Sequence, residues 1–340
     1  MRALLFDRQL SYRTDYPDPA PCAGESIVRV TLAGICGTDL EIARGYMGYR
    51  GVPGHEFVGR VEDSANPRLK GRRVVGEINA ACGRCEWCAG GLGRHCPTRT
   101  VLGILGRDGA FAEYLRLPDE NLFVVPDSIT DEAAVFVEPL AAAYEIFAQI
   151  HLAHNRRIAV LGDGRLGALV ALALRAEGYL AIVAGHHPEK LAHLARLGLD
   201  TIVEETLDEK FDVVIDCTGR GSGLARAIAL VRPRGTIILK STAAAGAEIN
   251  LAPIVVNEVT VLGSRCGRFA PALAALAPSQ VAPAVAAVEP SQVAPAVAAT
   301  ETSRVDPRPL ISATVGIAYG VEAMKSLATS SPFKVLLKPS

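Results

Sequence analysis

Hydrophobic and polar positions change rhythm twice along this chain. Over the first 125 or so residues the apolar positions come in short runs. Ser26–Ala33 alternates apolar and polar residues, and Arg72–Ile78 and Phe111–Leu117 are similar. Turn-forming clusters separate them: Pro17-Asp-Pro19, Gly51-Val-Pro53-Gly54 and Leu117-Pro118-Asp119. Short strands at this spacing predict a small β-barrel or sandwich. From Thr130 to about His151 the residues favour helix, with Thr130 as N-cap and Glu132 in the first turn. Beyond that, strand-like runs (Arg157–Leu161, Leu180–Ala184, Asp212–Asp216, Thr236–Leu239 and a weaker Val259–Leu262) alternate with helical ones (Leu166–Glu177, Pro188–Leu197, Gly223–Val231). That alternation predicts a parallel sheet covered on both faces. A helix around Val321–Leu327 and an apolar strand Phe333–Leu337 close the pattern.

The economical layout is an α/β chain: a β-rich domain over 1–135, an inserted α/β domain over 136–277, and a tail, 302–340, that rejoins the first. Between them, Pro278–Ala287 (PSQVAPAVAA) is repeated unchanged at Pro290–Ala299, and Ser-x-Val-x-Pro recurs at Ser303–Pro307. A twelve-residue period is too short for a solenoid unit. The segment 278–301 reads as a tandem duplication of a helix-to-strand connection. Alanine and proline at this density carry no chemistry, so a surface excursion is expected whose deletion preserves activity.

Composition narrows the function classes. At 340 residues two domains are expected. Lys and Arg number 35 against 36 Asp and Glu, a net charge of −1. This balance gives no electrostatic reason for a nucleic acid or anionic membrane as partner. The longest apolar stretches, such as Ala168–Leu174, fall far short of the ~20 residues of a membrane span. Asp7 and Arg8 interrupt any signal-peptide core. A cytoplasmic location, with reduced thiols, is the expectation. Of eight cysteines, Cys22, Cys217 and Cys266 are scattered and are expected as small buried side chains.

The other five sit among chemistry. Cys82, Cys85, Cys88 and Cys96 form C-x2-C-x2-C-x7-C, a set that can close a tetrahedron around a structural Zn²⁺. A ferredoxin cluster fits less well, because that run ends in x3. Upstream, Cys36 and His55-Glu56 each lie in a Gly-rich turn and offer thiolate, imidazole and carboxylate. A catalytic zinc takes three protein ligands and keeps one position open. Glu138, an acid inside an apolar helical stretch, needs a partner that a metal or a salt bridge would supply. Gly162-Asp-Gly164-Arg-Leu-Gly167 follows a strand-like run and opens a helical one, the setting of a dinucleotide-binding loop. Gly162, Gly164, Arg165, Leu166 and Gly167 are the cofactor candidates there. Gly185, His186, His187, Lys190 and Thr218, beyond the next strands, complete the set.

With these residues in hand, the chain resembles the zinc-dependent medium-chain alcohol and polyol dehydrogenases over nearly its whole length. The run Gly34-Ile-Cys36-Gly-Thr38-Asp39, Gly54-His55-Glu56, the Cys quartet, Glu138-Pro139 and the glycine fingerprint occur in family order. The resemblance implies a GroES-like catalytic domain with an inserted Rossmann domain, a doubly wound parallel sheet. It implies two zinc ions per chain. Cys36, His55 and either Glu56 or Glu138 would hold the catalytic one, and the quartet the structural one. Thr38 matches the position that relays the alcohol proton. The implied reaction passes a hydride between a primary or secondary alcohol, polyol or sugar and a nicotinamide dinucleotide, in a homodimer or homotetramer. Glu41 stands where polyol and threonine dehydrogenases usually carry a relay histidine, which looks more like the glucose-type enzymes. The duplicated segment is foreign to the family pattern. A zinc-free enone reductase and a non-catalytic dinucleotide-binding protein are the alternatives, and the zinc count per chain separates all three.

Cofactor choice is read from the strand after the fingerprint. Gly185 occupies the place where NAD-dependent relatives carry Asp. Glycine there is expected to leave room for a 2′-phosphate, with His186, His187 and Lys190 as donors. NADP is then preferred over NAD, increasingly so as pH falls toward 6.

Overall fold

The alternating run near the N-terminus becomes the central strand of the first sheet. In a computed structural model that describes residues 1–242, 248–278, 304–329 and 332–339, strand Glu25–Gly34 pairs antiparallel with Glu56–Asp63 and Tyr114–Pro118. Arg73–Gly76 and Leu122–Val124 extend the sheet on one side. On the other side lies Lys334–Lys338, which sets Leu336 opposite Gly34 and Leu337 opposite Ala33. Ile311–Gly316 follows as the edge, parallel to it. The far end of the chain therefore completes the sheet that its beginning started. The inward positions (Val28, Val30, Val61, Val74, Leu115, Leu117, Leu337) are buried, as period-2 alternation requires.

The second sheet is wholly parallel. Its strands lie in the order Asp200–Val203, Ala181–Gly185, Ile158–Leu161, Phe211–Asp216, Val231–Leu239 and Thr260–Gly263. This is the doubly wound order whose switch point lies beside Ile158–Leu161. Helix Arg165–Ala176 is apolar nearly all round, with every residue from Gly167 to Leu174 buried. It is sandwiched between the sheet and helix Val137–Gln149. Burying each such Leu contributes roughly 1.5–3 kcal/mol.

Several boundaries differ from the sequence reading. The helical stretch after Thr130 is two helices, Asp131–Ala134 and Val137–Gln149. Thr130 caps the first, accepting the Ala133 N–H at 3.3 Å. Asp200–Val203 is a further strand, whose exposed-looking Asp-Thr-Ile-Val gave no alternation. Cys22 is exposed rather than buried, because it lies in a surface turn ahead of Glu25. Beyond Pro278, the duplicated segment lies outside the described residues. No helix among the described residues is long and apolar enough to cross a membrane.

Candidate active site

Two segments converge on one point. Cys36 precedes helix Gly37–Ala43, and His55 and Glu56 stand at the start of strand Glu56–Asp63. Gly34 pairs with Glu56 across the sheet, which brings the two segments together. The thiol of Cys36, a ring nitrogen of His55 and a carboxylate oxygen of Glu56 lie within 4.8 Å of one another. His55 and Glu56 are buried. Burial alone would lower the His55 imidazole, but the negative charges of Asp39 and Cys36 outweigh it and carry His55 well above its usual value. Thr38 Oγ1 is 3.9 Å from Cys36 Sγ. Glu138 falls outside the three-residue cluster but near enough to feel His55 and Glu56. Desolvation pushes its carboxyl up to about 7.

The donor set fits a metal. Buried Glu56 Oε1 completes no hydrogen bond among the described residues, a costly state for a buried polar atom that a cation would relieve. Asp39 faces His55 Nδ1 at 3.2 Å, leaving the other ring nitrogen for a metal.

The quartet fits one as well. Cys82, Cys85, Cys88 and Cys96 gather around one point. Their sulfurs are spaced at 3.4 Å (Cys85–Cys88), 3.7 Å (Cys85–Cys96) and 3.9 Å (Cys82–Cys88). A tetrahedron of sulfurs at the Zn–S distance has edges of about 3.8 Å. Backbone amides at Arg84 and Cys85, with the Thr98 hydroxyl, draw the Cys82 thiol down to about 5. Burial and neighbouring thiols push Cys88 up to about 11, so a cation is needed to hold all four as thiolates.

At the switch point of the parallel sheet the glycine loop does what its spacing promised. Gly162 adopts φ +108°, and a Cβ on Gly167 would collide with the Gly162 carbonyl oxygen. A Cβ on Gly164 would meet open space, leaving that backbone free to approach a ligand at the N-terminus of helix Arg165–Ala176. Arg165, His186, Lys190 and Thr218 help line this cleft of about 400 Å³.

Residues 22–127 match the alcohol dehydrogenase GroES-like domain, and 166–279 match the zinc-binding dehydrogenase domain. The chain belongs to the zinc-binding medium-chain alcohol dehydrogenases. Among its relatives is the starvation-sensing protein RspB of Escherichia coli K12, 30% identical over 73% of this chain and 78% of that protein. An L-threonine 3-dehydrogenase from Chelativorans sp. BNC1 is 32% identical over 74% of this chain and 78% of its own length. A crystal structure of an alcohol dehydrogenase from E. coli CFT073, solved with NADH, superposes with a TM-score of 0.83 at 27% identity, covering 99% of each chain.

As a member of this family the dehydrogenase is an oxidoreductase that moves a hydride between an alcohol and a nicotinamide dinucleotide. Its architecture is the expected GroES-like and Rossmann pair. The two halves touch where the chemistry is. A Cβ on Gly37 would lie 3.5 Å from Arg165 Nη2, so the guanidinium spans from the Rossmann loop to the helix that follows Cys36. Helix Val137–Gln149, which carries Glu138, is braced by Lys240, whose Nζ donates to the Ala142 carbonyl at 2.6 Å, Ser264 Oγ at 3.0 Å and the Arg265 carbonyl at 3.0 Å. Burial draws that lysine down to about 8.

One expectation about the dehydrogenase is corrected. Gly185 does not leave free room: a Cβ there would overlap the Asp163 carboxylate, which folds in from the glycine loop. Asp163 accepts the His187 N–H at 2.7 Å and lies 2.9 Å from His187 Nδ1. His186 faces Glu205 at 2.8 Å and Glu204 at 3.3 Å. Both histidines thus already face carboxylates. Leu166 follows Arg165 in the first turn of the helix, and Thr218 bonds Asp216 Oδ1 at 2.8 Å. Sequence reasoning gave no role to Asp39, Asp163 or Lys334. Asp39 sat in the quoted motif, but a lysine in an apolar strand gives no signal of burial.

Proposed function

We propose that Cys36, His55 and Glu56 hold a catalytic zinc, that the Cys quartet holds a structural one, and that the substrate is a primary or secondary alcohol, polyols and sugars included. The carrying observation is the convergence of the three donors within 4.8 Å, with buried Glu56 Oε1 among them and without a hydrogen-bond partner among the described residues. Zinc bound there supplies a Lewis acid that acidifies the alcohol. The chain's own residues do the rest. Asp39 orients His55. Thr38, 3.9 Å from the thiol, takes the alcohol proton. Gly162–Gly167 and Arg165 hold the pyrophosphate at the helix N-terminus, and burial of His55 and Glu56 excludes water. Glu138 remains the alternative carboxylate of the cluster.

NADP preference over NAD is part of this reading. Position 185 carries no carboxylate of its own. Lys190 makes no ion pair among the described residues, and burial draws it below its ordinary value. It is an unpaired cation of this cleft able to take a 2′-phosphate.

The active molecule is a homodimer or a tetramer built from one. In support, strand Thr260–Gly263 has a neighbour on one side only among the described residues, and Leu251, Val255 and Val256 nearby are each more than half exposed. The division at 1–135, 136–277 and 302–340 is supported by the two sheets, and a cytoplasmic setting by two thiol-based clusters that need reduced cysteines. Metal analysis of the purified chain tests the core of the reading. Two zinc ions per chain are expected; one or none overturns it. A screen of alcohols, polyols and aldoses, followed by reduced-cofactor absorbance, then finds the substrate.

A further inference from the structure

The two oxygens of Glu56 have different surroundings. Oε2 makes a short contact with Nζ of Lys334, whereas Oε1 is buried without a hydrogen-bond partner among the described residues. Both residues are 1% exposed. The lysine arrives from 278 positions downstream, on strand Lys334–Lys338. Its ammonium also reaches the Ile35 carbonyl at 3.4 Å and stands 5.6 Å from the centre of the Phe136 ring. Gly34 forms the wall behind the pair. A Cβ there would overlap Oε2 and lie 3.5 Å from Lys334 Cδ. Oε2 is therefore fixed on one side by the ammonium and on the other by backbone.

This is a poor place for an ion pair that only holds the fold together. A buried lysine is costly unless paired. Here its partner is a carboxylate that also faces Cys36 and His55. A cation this close repels a metal ion and competes with it for the same carboxylate.

We infer that Lys334 is a positioning residue that keeps Glu56 a one-oxygen ligand. It retains Oε2, so that only Oε1 faces the cluster. The inference rests on the reading that Cys36, His55 and Glu56 hold a metal. It has a consequence for coordination: a carboxylate that cannot turn both oxygens inward leaves a position for substrate. It has another for charge: the ammonium offsets Glu56, so thiolate and carboxylate together do not cancel the charge of a dication.

The test is zinc affinity of the full chain, measured by competition with a chromophoric chelator. Lys334→Met keeps the stem and removes the charge. It should raise affinity at the weaker, non-quartet site about tenfold, the scale on which groups behind a ligand act. Lys334→Arg should stay near wild type. A purely structural role moves affinity the other way, because an unsettled site holds metal less well. A fall or no change in Lys334→Met overturns the inference. Wild-type protein that binds a single zinc defeats the underlying reading instead, so the two failures are distinguishable. Should Lys334→Met not fold, a crystal structure of the zinc-loaded wild type decides: one Glu56 oxygen on the metal is expected, and two overturn the inference.

Discussion

Asp39 serves two neighbours at once: Oδ2 accepts the Cys36 backbone N–H at 2.8 Å, while Oδ1 faces His55 Nδ1 at 3.2 Å. One fully buried carboxylate thus fixes the loop that presents the thiol and the ring that presents the imidazole. Asp39→Asn keeps the shape but loses the charge. Zinc affinity at the Cys36 cluster should fall about 10–100-fold, the usual effect of altering a group behind a histidine ligand. Titration against a chelator measures it, and an unchanged affinity would show that Asp39 serves the helix alone.

Cys36→Ser and Cys88→Ser should fail in different ways. The first removes turnover and leaves the fold largely intact, because an open three-ligand site is not a folding staple. The second loosens the 82–96 lobe, where metal binding energy is folding energy. Thermal melts beside kcat measurements separate them. Wild-type rates in Cys36→Ser would sink the catalytic assignment.

Cofactor preference is read from kcat/KM for NADP and NAD between pH 6 and 8. The ratio should favour NADP throughout this range. Lys190→Ala should lower the ratio several-fold, as a point-charge phosphate contact is lost. Gly185→Asp, which sequence logic offers as the route to NAD, should chiefly destabilise, because its side chain meets Asp163. Pairing it with Asp163→Ala makes the room. An NAD preference at every pH contradicts the reading.

Acid should loosen the Rossmann sheet through Asp212. Its carboxylate accepts from Arg156 at 2.9 Å, the Arg157 N–H at 2.8 Å and Arg232 at 2.7 Å. Burial opposes its charge, but these donors win and hold it near 2, against an ordinary 3.8. A depressed carboxylate contributes stability above its unfolded value that is lost as pH falls through the folded one. The window is therefore about pH 4 down to 2, and the contribution about 1–2 kcal/mol. Asp212→Asn should lower Tm at pH 7, with the gap closing toward pH 2. A gap that stays constant with pH would assign the loss to packing.

Local features were legible in the sequence, and distant ones were not. The quartet and the glycine loop carry their geometry within fifteen and six residues, so spacing alone describes them. Cys36 and His55 are nineteen residues apart, yet each motif was recognisable in its own turn. Lys334 carried no signal of its role, because nothing in Phe-Lys-Val says that its neighbour across the sheet is Gly34's strand. The space at Gly185 was misjudged for a similar reason: what fills it is a side chain 22 positions earlier, whose direction no pattern encodes. Helix 131–149 breaks at Val135–Phe136, two apolar residues that sequence propensity passes over.

The late arrival of Lys334 sets an order of events during synthesis. The quartet can close as soon as residues 82–96 leave the ribosome, since all its ligands are local. The Cys36 cluster cannot be finished then. Glu56 waits 278 residues for its lysine, roughly 15–55 seconds at ordinary elongation rates. Throughout that interval strand Glu25–Gly34, paired with Glu56–Asp63 on one side, lacks its second neighbour at Ala33 and Gly34, an open edge of the kind other chains can pair with. The nascent first domain carries a gathered Cys quartet beside an incomplete Cys36–His55–Glu56 cluster, whose lysine comes only with strand Lys334–Lys338.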